Sequence, residues 1–169
     1  YVYQTSWGST TRMIGALIMV HSDDYGLVLP PKIAPRQVVI VPVKDDVNVN
    51  TLAEDLCNKL NDNNITTYID YSNKSAGFKF AEAEVNGIPI RIEIGLRDLS
   101  DGFITLVRRD TREKTNVFIN DDVVSRVKTL LNDIQNNLYN RALERRNEMT
   151  YVAKSMDEMK EIILSLIHI

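Results

Sequence analysis

A chain of 169 residues with 44% hydrophobic and 25% charged side chains has the make-up of a folded polypeptide and not of a disordered tail, with length for one full core plus pieces of neighbouring domains. A net charge of −3 and a pI near 5.4 exclude a global basic footprint, so any contact with nucleic acid is local. Cys57 is the only cysteine, which excludes an intramolecular disulfide and a multi-cysteine zinc site and suits a reducing cytosol; the apolar run Met13–Val20 falls far short of the ~20 residues that a membrane span needs, and no signal-peptide pattern precedes it.

Tyr1–Trp7 is rich in aromatic and β-compatible residues and reads as a strand ending at Gly8. From Thr10 to His21 the apolar residues Met13, Ile14, Ala16, Leu17, Ile18 and Val20 occupy nearly the whole helical circumference, which predicts a helix buried on most sides. The segment Ser22–Pro35 concentrates turn formers and three prolines, and a domain boundary is expected there. Arg36–Lys44, "RQVVIVPVK", is a nearly unbroken β-branched run, the pattern of a central parallel strand covered on both faces. Leu52, Ala53, Leu56 and Leu60 recur at helical spacing, predicting a helix over Asn50–Asn61 capped by Asn50 or Thr51. Ile65–Tyr71 reads as the second strand of a βαβ unit, half of a doubly wound sheet.

Ala76–Val85 is expected to be a short helix. In Gly87–Gly95, "GIPIRIEIG", four isoleucines alternate with Pro89, Arg91 and Glu93, so Arg91 and Glu93 point the same way from one strand. Phe103–Arg108 and Lys114–Ile119 form a hairpin around "RDTRE". Val123, Val127, Leu130, Leu131, Ile134 and Leu138 mark a long amphipathic helix from Asp121 to about Glu148, expected across one sheet face. A last helix starts at Ser155, with Ser155 and Glu158 as a capping box. No internal repeat or low-complexity tract is present.

Two groups of residues could carry chemistry. Arg12, in the first turn of its helix, combines a guanidinium fork with free backbone N–H groups and the positive end of the helix dipole, an arrangement suited to phosphate oxygens; Thr10 and Thr11 can add hydroxyl donors. Pairing of Arg12 with Asp23 or Asp24 is an equally open reading. The second group is Glu84, Arg91, Arg97, Arg108, Arg109, Arg112 and Lys114. Guanidinium forks and carboxylates beside a strand suit the edges of exposed bases, while Glu93, Asp98, Asp110 and Glu113 leave open a solvated ion-pair surface. Trp7 is expected to be packed. Cys57 reads as a buried structural thiol, and His21 and His168 lack the companions of a metal site or a triad.

Three stretches, "QTSWGSTTRMIGALIMVHSDDYGLVLPPKIAPRQVVIVPV", "GFKFAEAEVNGIPIRIEIGLRDL" and "LVRRDTREK", closely resemble the carboxy-terminal part of the prolyl-tRNA synthetases, a family of class II aminoacyl-tRNA synthetases. The likeness runs from Gln4 to about Arg146. "IAPRQVVIVPV" alone would also suit threonyl- or glycyl-tRNA synthetases, whereas "TSWG…TTR" and "RIEIGLRDL" separate them. The resemblance implies an α/β fold, a mixed sheet flanked by helices, preceded by a strand-helix remnant of the catalytic domain. Residues 1–35 look like that remnant, holding motif 3; residues 36–148 look like the anticodon-binding domain; residues 149–169 look like the start of a truncated C-terminal segment. Within the last of these, 164–169, "LSLIHI", coincide with a translated sequencing adaptor and are expected to be artefactual.

By resemblance, Arg12 is the catalytic motif 3 arginine on the ATP phosphates, Thr10 lies at the nucleotide site, and Trp7 and Gly8 border the proline pocket. Glu84, Arg91 and Lys114 match the positions that read the second and third anticodon bases, both guanines. ATP and Mg²⁺ are the implied cofactors of the parent enzyme, with proline and tRNA(Pro) as partners, a homodimer as its assembly and the cytoplasm as its location; neither DNA nor membrane is an expected partner. The implied chemistry is attack of the proline carboxylate on the ATP α-phosphate, then transfer of prolyl to the terminal adenosine of the tRNA. This piece alone is expected not to activate proline. Family members commonly carry proline where this chain has Leu96. The rival reading is a stand-alone anticodon-domain-like interaction module.

Overall fold

The computed structural model describes residues 2–166; Tyr1 and the stretch 167–169, which includes His168, lie outside the described residues, as does the end of the suspected adaptor sequence. The chain divides into two units, one up to Leu138 and one from Tyr139.

The first unit opens without regular structure: residues 2–10 form no strand, and Trp7 is 94% exposed. This corrects the strand and the packed tryptophan expected there. Strand backbone must pair with a neighbour, and the sheet of this unit is assembled from later segments. Helix α1 (Arg12–His21) follows as expected, yet none of its residues is buried; Met19 is 77% exposed and Met13 64%.

From Val38 onward the sequence folds into a five-stranded sheet with helices packed on both faces. Strand β1 (Val38–Pro42) is buried along its whole length. Helix α2 (Val47–Asp62) begins a turn earlier than the spacing of leucines suggests, because Asp46 caps it, its Oδ1 accepting from the N–H groups of Asn48 at 2.9 Å and Val49 at 3.4 Å. Thr51 instead donates its hydroxyl back to the Val47 carbonyl. Strand β2 (Thr67–Ile69) is shorter than expected: the Asn61 side chain accepts from Thr67 N–H and donates to its carbonyl at 2.9 and 3.2 Å, occupying one edge of the strand. Helix α3 (Ala76–Val85), capped by Ser75, leads to β3 (Ile90–Ile94), then to a one-turn helix α4 (Leu96–Ser100) that the sequence pattern does not announce. The hairpin β4 (Phe103–Arg108) and β5 (Lys114–Phe118) precedes α5 (Val123–Glu148).

The sheet order is β2-β1-β3-β4-β5, with β1 parallel to both β2 and β3 and the two later pairings antiparallel. The sheet is therefore mixed, as expected. Its alternation sorts residues between two faces. Val38, Ile40, Ile90, Ile92, Ile94, Ile104, Leu106 and Val117 meet Val49, Ala53, Leu56 and Leu60 of α2 and the Val127, Leu131 and Ile134 stripe of α5 in the main core. On the other face Val39 and Val41 pack with Ala83 and Ile88, with Tyr68 and Phe80 alongside, so α3 covers only part of it. Cys57 lies half-buried, its thiol directed at the Thr67 carbonyl and its pKa raised by burial.

In the second unit, α6 (Met156–Leu166) starts behind Ser155, whose Oγ accepts from Glu158 N–H at 3.2 Å; the Glu158 carboxylate reaches the N–H of Lys154 at 2.7 Å rather than that of Ser155.

Candidate nucleic-acid interface

On strand β3 the two-residue repeat sends the four-carbon branches of Ile90, Ile92 and Ile94 into the main core and leaves Arg91 and Glu93 on the α3 side. There they are enclosed. The Arg91 side chain is only 7% exposed, because α3 lies over it and its guanidinium stands 4.5 Å from the centre of the Phe80 ring. Arg91 Nε donates to Glu93 Oε1 at 2.9 Å, and Nη2 forms an ion pair with the same oxygen at 2.9 Å. Nη1 donates to Glu84 Oε1 at 3.0 Å and to the Phe80 carbonyl at 3.3 Å. Five N–H donors are available on an arginine; three are hydrogen-bonded here, and Nη2 is held in the ion pair with Glu93.

Glu84 extends from the last turn of α3, and its Oε2 makes none of these bonds. Lys114, the first residue of β5, has a 56% exposed side chain and donates to Glu93 Oε2 at 3.1 Å; its ammonium is 5.9 Å from the Phe80 ring centre. Two carboxylates thus alternate with two cations around one aromatic ring. Burial of such charges is tolerable only because each is paired. The arrangement offers solvent a carboxylate oxygen, an ammonium and an aromatic edge. Those groups can accept from ring N–H and amino groups and donate to ring oxygens and nitrogens of an unstacked base.

Arg108, Arg109 and Arg112 spend their guanidinium groups on other partners. Arg109, 3% exposed, grips Asp23 with both terminal nitrogens at 2.8 and 2.6 Å and donates Nε to the Glu84 carbonyl at 3.0 Å. This hydrogen-bonded pairing holds the Asp23 carboxyl down at about 2, despite desolvation acting the other way. Arg112 lies over the Tyr25 ring at 3.8 Å. Between these contacts Leu27 and Leu29 donate backbone N–H groups to Val85 and Gly87. At Gly26, with φ of +134°, a Cβ would come 2.5 Å from Val85 Cα. The segment after α1 is thereby laced onto the end of α3. Arg108 pairs with Asp110, which also accepts from Asn137 of α5; burial raises the Asp110 pKa, but the Arg108 and Asn137 hydrogen bonds outweigh it and the net shift is downward.

Of the remaining candidates, Arg12 is exposed at the start of α1, where its N–H meets Thr10 Oγ1 at 3.3 Å. It does not hold Asp23, which belongs to Arg109. The space around Gly8 is open beside the exposed Trp7. Among the described residues no group of three or more His, Cys, Asp or Glu could hold a metal ion, and no helix is long and apolar enough to cross a membrane. Sequence reasoning set Glu93 aside as a solvated neighbour and took Phe80 only as a helix residue. The signal for Glu93 is the strand parity that it shares with Arg91; Phe80 stands four residues, one helical turn, before Glu84 on α3.

The anticodon binding domain model matches residues 37–130, a stretch that contains the whole ion-pair array. The proline–tRNA ligase of Chlorobaculum tepidum is 51% identical over 165 residues, covering 95% of this chain and 34% of that protein; that of Oceanobacillus iheyensis is 51% identical over 164 residues, with 96% and 34% covered. A crystal structure of prolyl-tRNA synthetase from Cryptosporidium parvum, complexed with halofuginone and AMPPNP, superposes with a TM-score of 0.84 at 34% identity, over 89% of this chain and 31% of that one. The chain spans about a third of the length of the curated relatives it matches. Sheet order, the covered array on β3 and these matches agree: the chain belongs to the anticodon binding domain family, in the form shared with these proline–tRNA ligases.

Proposed function

We propose that this chain reads the anticodon of tRNA(Pro) as part of a proline–tRNA ligase, and that the ring of Glu84, Arg91, Glu93 and Lys114 around Phe80 is the reading site. The observation that supports it is the division of labour in that ring. All three guanidinium nitrogens of Arg91 are engaged inside the protein, so it serves first to fix two carboxylates, and the direct contacts fall to Glu84 Oε2 and Lys114 Nζ. A guanine presents N1–H and N2 amino donors to a carboxylate and O6 and N7 acceptors to a cation. Two such bases fit two such partners.

At the other end of the chain, the exposed Arg12 guanidinium in the first turn of α1 suits phosphate oxygens, although the N–H groups of Arg12, Met13 and Ile14 are already taken by Thr10 and Thr11. In the parent enzyme it would hold ATP, with Thr10 beside the nucleotide and Trp7 and Gly8 at the proline pocket. Among the described residues no group of three or more His, Cys, Asp or Glu is placed to hold Mg²⁺. Homodimeric assembly and a cytoplasmic location belong to the same proposal.

Titration of this chain with a proline-anticodon stem-loop tests the reading. Glu84→Ala and Lys114→Ala should each weaken binding by ~1–3 kcal/mol, and the Glu84→Ala loss should shrink when inosine, which lacks the N2 amino group, replaces the guanine it faces. Unchanged affinity in both variants would refute it.

A further inference from the structure

The face that holds the ion-pair array continues beyond it to the edge of the sheet. Strand β5 is the outermost strand, and its alternation places Lys114, Asn116 and Phe118 in one line on that face, about 6.8 Å from one side chain to the next. Their registered neighbours on β4 are Val107, Thr105 and Phe103. The reverse face of β5 is already satisfied, with Val117 5% exposed in the main core and Ile119 packed against it. Phe118 nonetheless stands 62% exposed, directly across from Phe103. The Thr105 hydroxyl donates to Asn116 Oδ1 at 3.1 Å, an orientation that leaves both Nδ2 hydrogens of the amide for a ligand.

A single exposed phenylalanine is ordinary on a protein surface. This one differs in position: it ends a row that starts at Lys114 of the reading site and passes through a fixed amide donor. The row is too narrow for a protein interface, which needs a far larger contiguous patch. Its chemistry, a cation, then an amide donor, then an open aromatic face, is that of a track for single-stranded nucleic acid.

We propose that Phe118 and Asn116 form a third nucleotide subsite, in which one unstacked base of the anticodon loop adjoining the two guanines lies on the Phe118 ring while Asn116 Nδ2 donates to an oxygen of that nucleotide. This rests on the anticodon reading proposed above. Stacking on a ring tolerates any base, so the subsite adds affinity and register without adding sequence specificity.

The test uses the full 169-residue chain and the proline-anticodon stem-loop at fixed salt. Phe118→Ala should weaken binding by about 5- to 100-fold, Phe118→Tyr should stay within about twofold, and both should melt like the parent because the side chain is exposed. A set of stem-loops, each abasic at one loop position outside the guanine pair, should contain one that costs the parent chain the same factor and costs Phe118→Ala nothing more. Parental affinity of Phe118→Ala for every RNA, or a loss that no abasic position cancels, would overturn the subsite. If guanine replacement still weakens the parent chain in that event, the anticodon reading survives; if the parent chain is indifferent to the guanines or fails to bind the stem-loop, both fall.

Discussion

Replacing Arg91 by alanine removes the centre of the ion-pair array and leaves its rim in place. Glu93, with an 11% exposed side chain, would keep Lys114 at 3.1 Å but lose the hydrogen bond and the ion pair that it makes with the arginine. Glu84, 24% exposed, would lose the one ion pair it makes here. Removing one partner of a buried pair costs about 3–5 kcal/mol because the charge left behind is uncompensated, and the lost stacking on Phe80 adds to it. Against a total stability of about 5–15 kcal/mol, Arg91→Ala should lower the melting temperature by roughly 6–20 °C. Urea denaturation of the parent chain, Arg91→Ala, Glu93→Gln and the double variant supplies the check: the double variant should be less destabilised than the sum of the singles, by more than about 1 kcal/mol. Arg91→Lys should not restore RNA affinity, since an ammonium cannot span Glu84 and Glu93 as the fork does. Additive single variants, or an Arg91→Ala cost under about 1 kcal/mol, would show that Arg91 does not hold the two carboxylates.

The Asp23–Arg109 pair predicts acid sensitivity. With the folded-state pKa at about 2 and the usual value 3.8, its stabilisation is complete above pH 4 and disappears as the pH falls toward 2. The carboxylate is 38% exposed, so screening limits the effect to about 1 kcal/mol, and Asp23→Asn should flatten the stability–pH profile over that range. Leu96→Pro should stabilise by about 0.4–1 kcal/mol: Leu96 is the first residue of α4, where proline is favoured, and Gly95 at φ −102°, ψ 157° already has the backbone that precedes a proline. A lower melting temperature would contradict this. Gly26→Ala should destabilise by more than about 1 kcal/mol in the same denaturation assay, through positive φ and the collision with Val85.

The sheet was legible where one physical signal dominated. The β-branched run of β1 announced burial on two faces, the isoleucine alternation of β3 announced its core side but not the burial of its polar side, and the α5 stripe named its own contacts. Boundaries slipped where side chains bid for backbone groups: Asp46 started α2 early, and Asn61 curtailed the edge of β2. Residues 2–10 and α1 misled because composition records what a segment can bury and not whether a partner surface lies within the chain. At the candidate site, parity placed Arg91 with Glu93, but nothing local could show that α3 brings Glu84 and Phe80 over them, or that Arg109 turns away to Asp23. These are contacts between residues 7 and 86 positions apart, set by the order of strands.

The most direct test is the affinity of this chain for two stem-loops that differ only in whether the second and third anticodon bases are guanines or adenines. The guanine form should bind at least tenfold more tightly at equal salt, since each lost base contact is worth about 1–3 kcal/mol. Equal affinity for the two would show that the face of Glu84, Arg91 and Lys114 does not read them.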